Sequence, residues 1–317
     1  MKKKIGLLLI LFTFLGIGCF IYFNPSEFTR LFNLGFFQLA PILTTSLIYI
    51  VLQAVIFQYV LTGYNTKLTL NESFGTFILT LAGNYLIPFA GLGFRAGYLK
   101  VVHNFELKNF SMGILVIYFT ELFVFAIGGM LGLYFTSPFH NDFVQFLMFG
   151  LALGVLLLTV MFCTDIRYPI NWPCSNQIGL IFSAWSKIRN NYRLVITVLF
   201  MQVLLFMIYS HMFHLCFESL EIHQEYLRSF VFSMFNDFSF FIRFTPAGIG
   251  VFEASIAYPA YLFGLSMSIA LMITVLMRGA VLFWIMLFSP YYIYTLGARL
   301  SAKRSIKPSE DNSADHH

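Results

Sequence analysis

Long runs of residues with at most one formal charge constrain this chain more than any other feature. Ile5–Phe23, Phe36–Leu61, Ser111–Thr136, Phe143–Cys163, Leu194–Phe217 and Ser266–Leu296 are each long enough to cross the hydrocarbon of a bilayer as a helix. Across all 317 residues 59% are hydrophobic and only 10% are charged, against about 25% charged in a soluble domain. Such a chain cannot cover its surface with polar groups in water, so its solvent is lipid. The expected architecture is an all-α polytopic membrane protein. Residues 1–300 form a single transmembrane domain, and a polar tail over 301–317 is expected to be disordered and cytoplasmic.

Two further apolar stretches, Phe74–Leu99 and Phe230–Gly264, are interrupted by proline and glycine. The breaks fall at Pro88, Gly91 and Gly93 in the first and at Pro246, Gly248 and Gly250 in the second. Proline removes a backbone donor and glycine permits a sharp reversal, so each stretch reads as two short half-helices meeting at a break. A broken backbone inside a membrane must be satisfied by protein or by water in a cavity. The breaks therefore point to a cavity.

Charge placement sets the topology. The formal net charge is +5, and basic residues cluster at Lys2–Lys4, from Arg167 to Arg193, and from Arg299 to Lys307. Basic clusters flanking apolar runs are what positive-inside insertion produces, not a nucleic-acid-reading face. With six full spans and two hairpins that return to the side they entered from, both termini and the Arg167–Arg193 stretch are cytoplasmic. The acidic loop carrying Glu218, Glu221 and Glu225 is then outside. Lys2–Lys4 and the following run resemble a signal peptide, but Ile5–Phe23 exceeds the 7–15 residues of its apolar region and reads as an uncleaved span.

The two broken stretches match one another. Pro88-Phe-Ala-Gly91-Leu-Gly93-Phe-Arg95-Ala aligns with Pro246-Ala-Gly248-Ile-Gly250-Val-Phe-Glu253-Ala. Each leads into a span holding one charge: Glu121, 26 residues after Arg95, and Arg278, 25 residues after Glu253. The signs are exchanged between copies. Units 36–136 and 194–296 are thus expected to be inverted repeats, with the site near the midplane. An unpaired charge at mid-bilayer costs about 2.5–3.5 kcal/mol on the lenient insertion scale, so Arg95, Glu121, Asp237, Arg243, Glu253 and Arg278 must pair or be hydrated. In one reading, Arg95–Glu253 and Glu121–Arg278 are salt bridges locking the repeats together. In the other, Arg95, Arg243 and Arg278 bind an anionic head group, whose phosphate suits the arginine fork, with Glu121 and Glu253 as counter-charges.

The Asn84…Pro88…Gly91…Gly93…Arg95 stretch, the Pro246-Ala-Gly-Ile-Gly-Val-Phe-Glu253-Ala stretch and Arg278 resemble the flippase-like family, also called the lysylphosphatidylglycerol synthase transmembrane-region family. The resemblance covers about residues 5–298. It implies a polytopic fold in the cell (inner) membrane that moves lipids between leaflets, as flippase or scramblase, on an anionic or polyprenyl-linked lipid. Fused synthases of that family carry a soluble aminoacyl-transfer domain after the spans. Here the chain ends about twenty residues after the last one, so synthase activity is not carried over. Two other readings stand beside transport: a lipid-modifying enzyme using Glu121, Asp237 or Glu253 as general base, and an accessory partner of a separately encoded glycosyltransferase or lipid synthase.

No cofactor or metal is expected. Cys19, Cys163, Cys174 and Cys216 form no CxxC pair, His211 and His214 read as a bundle-facing pair, and there is no Walker-type phosphate loop. Trp284, Tyr291, Tyr292 and Tyr294 read as an interfacial aromatic belt.

Overall fold

The computed structural model describes residues 29–31, 33–136, 142–163, 191–241, 245 and 248–306. All regular elements among the described residues are helices: α1 Phe36–Thr62, α2 Leu70–Leu86, α3 Ala90–His103, α4 Leu107–Thr136, α5 Asp142–Cys163, α6 Tyr192–Ser219, α7 Tyr226–Phe241, α8 Val251–Leu262 and α9 Met267–Ile306. The expected first span Ile5–Phe23 lies outside the described residues, as do Arg243, Pro246 and positions 164–190. Among the described residues, four helices are long and apolar enough to cross a membrane: α1, α4, α6 and α9, the last over Met267–Lys303. The expected run Phe143–Cys163 is helical as α5, with a shorter apolar stretch over Val144–Leu156. Helix α9 continues to Ile306, so the first residues of the polar tail extend it.

Local chemistry sets the helix starts. Thr69 caps α2, its hydroxyl accepting from the Glu72 N–H, and Asn191 caps α6 by accepting from Leu194. Both broken stretches divide into two short helices, but by different means. In the first, Ile87 is extended, as a residue before proline prefers, and Phe89 takes the left-handed conformation with φ 63°. The expected reversal at glycine is thus made by a phenylalanine. Gly91 lies inside α3, where a Cβ would overlap the Thr80 carbonyl and Gly83 approaches its Cα, so its smallness serves the α2–α3 contact. In the second break Gly248 and Gly250 do carry the positive φ values, 66° and 90°.

The same order, span–two short helices–span, occurs in α1–α4 and again in α6–α9. The halves interlock. Helix α1 packs on α6, α4 lies along α7, and α9 lies along α2, so each half's last span docks on the other half's first short helix. Small residues allow the approach: Gly129 and Gly132 of α4 face Met234 and the Leu227 carbonyl of α7, and Gly75 of α2 faces the Tyr292 ring of α9. Polar ties add register. Ser73 donates to the Ala54 carbonyl at 2.7 Å, Tyr292 donates to Asn71 at 2.6 Å, and the Trp284 indole donates to the Leu43 carbonyl and the Ser46 hydroxyl at 3.0 Å each. Of the expected aromatic belt, Tyr291 and Tyr294 are exposed. Trp284 and Tyr292 instead bind neighbouring helices, where their polar atoms find partners.

Candidate functional site

Where the halves interlock they frame a partly open cavity of about 170 Å³. Its wall is mostly apolar and a third of its lining residues are aromatic, with contributions from α1, α4, α6 and α9 and from the two broken stretches. Pro88, Phe89, Thr245 and Gly248 bring both breaks to the same space. Four of the intramembrane charges line it: Arg95, Glu121, Asp237 and Arg278. Arg243 lies outside the described residues.

The charges do not pair as either cross-unit bridge would have it. Glu253 sits 3.3 Å from Arg278 of its own unit, because α8 packs along α9 and brings position 253 against position 278. The second Glu253 oxygen accepts from the Gly250 N–H at 2.6 Å, and Arg278 donates to the Gly248 carbonyl at 3.3 Å. Pair, cap and broken backbone thus form one closed unit around the second break. The expected Arg95–Glu253 and Glu121–Arg278 bridges are not formed. Glu121 accepts from the Gln53 amide at 2.9 Å, and Gln53 in turn reaches the Tyr49 hydroxyl at 3.3 Å.

Arg95 has no such ion pair among the described residues. It is 3% exposed, and among the described residues no carboxylate lies within 4 Å of it. Its Nε and Nη2 are buried and, among the described residues, have no hydrogen-bond partner. The Phe57 ring covers one face of the guanidinium, its centroid 3.3 Å from Cζ, and Phe77 stands at 5.5 Å. Aromatic faces attract the cation without occupying its donors. Nε and Nη2 form one edge of the fork, the edge that receives two oxygens of a phosphate or carboxylate side by side.

Neutral groups complete the lining. Tyr49 of α1 stacks on Tyr209 of α6 at 4.9 Å, and Tyr209 donates to Asn236, whose amide donates to Ser255 at 3.0 Å. Asn84 accepts from the Gly91 N–H at 3.0 Å and so caps α3 at the first break. Charge placement in the sequence does not single out Gln53, Tyr49, Tyr209 and Asn236. Their signal was available, since a lone amide inside an apolar run also needs a partner. His214 bonds Glu218 at 3.4 Å and packs on Tyr226, while Cys216 is fully buried among hydrophobic neighbours, all away from the cavity.

A family model described as the lysylphosphatidylglycerol synthase TM region matches residues 4–289. No curated protein and no solved structure matches the chain.

Proposed function

The chain belongs to the lysylphosphatidylglycerol synthase transmembrane-region family, a membrane domain of lipid-related proteins, and from that premise we propose that it moves a lipid with an anionic head group between the bilayer leaflets. The observation that carries this reading is the buried Arg95 fork, with Nε and Nη2 unpartnered at the cavity. A buried donor pair left empty costs more than the same pair satisfied. A phosphodiester entering the cavity would satisfy both donors and neutralise the charge, which is a reason for the site to prefer an anion. Glu121 and Asp237, which also line the cavity, balance the charges of Arg95 and Arg278 and keep binding reversible.

The inverted-repeat plan is part of the proposal, and the packing supports it. Helix α9 follows directly on the second broken stretch, while its far end touches the start of the first: Tyr292 bonds Asn71, and Arg299 lies 3.7 Å from Glu72. Between Met267 and Tyr292 an α-helix rises about 38 Å, more than the roughly 30 Å of hydrocarbon. Hairpins anchored at opposite ends of one spanning helix would enter from opposite faces and meet between them. With the positive-inside rule, the end carrying Arg299 and Lys303 is cytoplasmic.

The test is reconstitution. Purified protein in phosphatidylcholine vesicles with a trace of NBD-phosphatidylglycerol should expose inner-leaflet label to dithionite faster than empty vesicles do. Arg95→Gln should lower that rate about tenfold or more, as expected for loss of a charge-assisted bidentate contact. Wild-type vesicles no faster than empty ones would end the transport reading.

A further inference from the structure

The two units hold the same pair of positions in opposite states. In the second unit the break-side charge and the span charge, Glu253 and Arg278, are closed at 3.3 Å. In the first unit the equivalent positions are Arg95 and Glu121, with the signs exchanged, and they are apart: among the described residues Arg95 has no carboxylate within 4 Å, and Glu121 accepts from the Gln53 amide. Helix packing repeats the asymmetry independently. Helix α8 lies along α9, whereas α3 barely touches α4. One unit is closed on itself, both in charge and in packing, while its counterpart is open.

We infer that the head-group phosphate is passed between Arg95 and Arg278 by exchange of these two states: Arg95 closes on Glu121 as Arg278 parts from Glu253. The inference rests on the anionic-lipid reading above. Units that share a plan have two equivalent asymmetric arrangements, and in inverted-repeat transporters switching between them moves access from one side to the other. Arg278 already lines the cavity, and the Glu253 carboxylate holds the place an anionic oxygen would take. Glu253 is therefore a built-in competitor for the phosphate at Arg278, and Glu121 is the matching competitor at Arg95. Each carboxylate releases the head group by replacing it. Each arginine keeps an anionic partner at both stages, which keeps the cost of holding these cations in the membrane low.

Equilibrium binding of NBD-phosphatidylglycerol to the purified full chain in detergent tests the exchange. Arg95→Gln should weaken binding about tenfold. Adding Glu253→Gln should restore it by freeing Arg278, and a further Arg278→Gln should remove it again. If folded Arg95→Gln/Glu253→Gln protein, monodisperse and helical by circular dichroism, binds no better than Arg95→Gln alone, Arg278 is not a phosphate site and the exchange is overturned. The Arg95 reading survives that result. If Arg95→Gln binds as wild type does, the Arg95 reading itself fails. Should the Glu253 variants not fold, Glu121→Gln decides. It should bind the probe at least as tightly as wild type yet flip it about tenfold more slowly, because release at Arg95 lacks its competitor. Wild-type flipping by Glu121→Gln would overturn the proposal.

Discussion

Arg95 concentrates the energetics of the site in one side chain. Phe57 stabilises the cation from its face and leaves the donor edge open, a combination that a carboxylate partner would destroy. Phe57→Leu keeps an apolar side chain but removes the ring. It should weaken phosphatidylglycerol binding severalfold, in line with about 0.5–2 kcal/mol for a cation–π contact, with little change in helix content. A binding isotherm and a circular dichroism spectrum check both statements. The sequence was informative about charge at this scale and silent about pairing. Charges at matched offsets marked Arg95, Glu121, Glu253 and Arg278 as one constellation. Which carboxylate meets which arginine depends on whether α3 and α8 lie along their own spans, and that rotation leaves no trace in a spacing pattern.

The broken stretches were legible as elements because proline and glycine act through local backbone geometry. Their detailed roles were less so. Gly91 and Gly248 each open the Gly-x-Gly that follows a proline, yet one keeps two helices close and the other turns the chain. Gly91→Val should therefore destabilise the hairpin by overpacking, a few kcal/mol by comparison with overpacked cores, and lower the thermal midpoint in detergent. Phe89→Gly should leave that midpoint unchanged or raise it, because a left-handed non-glycine residue costs about 1–2 kcal/mol. A Gly91→Val protein as heat-resistant as wild type would mean that α2 and α3 do not pack through that glycine.

At the scale of the whole molecule, the interlocked halves make the cavity a joint product of both, so neither half holds a complete site. Composition was enough to place the chain in lipid, because no other solvent suits it. The docking of α4 on α7 and of α9 on α2 was not foreseeable, since it depends on shape complementarity at Gly75, Gly129 and Gly132 rather than on hydropathy. If the two hairpins enter from opposite faces, single cysteines at Lys67 and Asn104 should react with a membrane-impermeant maleimide only from the cytoplasmic side. Cysteines at Glu221 and His223 should react only from the other side. Labelling of all four from one side would contradict the inverted arrangement.

Head-group selection turns on a single contact, and comparing two labelled lipids in one preparation tests it most directly. Vesicles containing the protein should flip NBD-phosphatidylglycerol about tenfold faster than NBD-phosphatidylcholine, whose choline cation offsets the phosphate that Arg95 would bind, and Arg95→Gln should abolish the difference. Equal rates for the two lipids in wild type, or a preference that persists in Arg95→Gln, would contradict it.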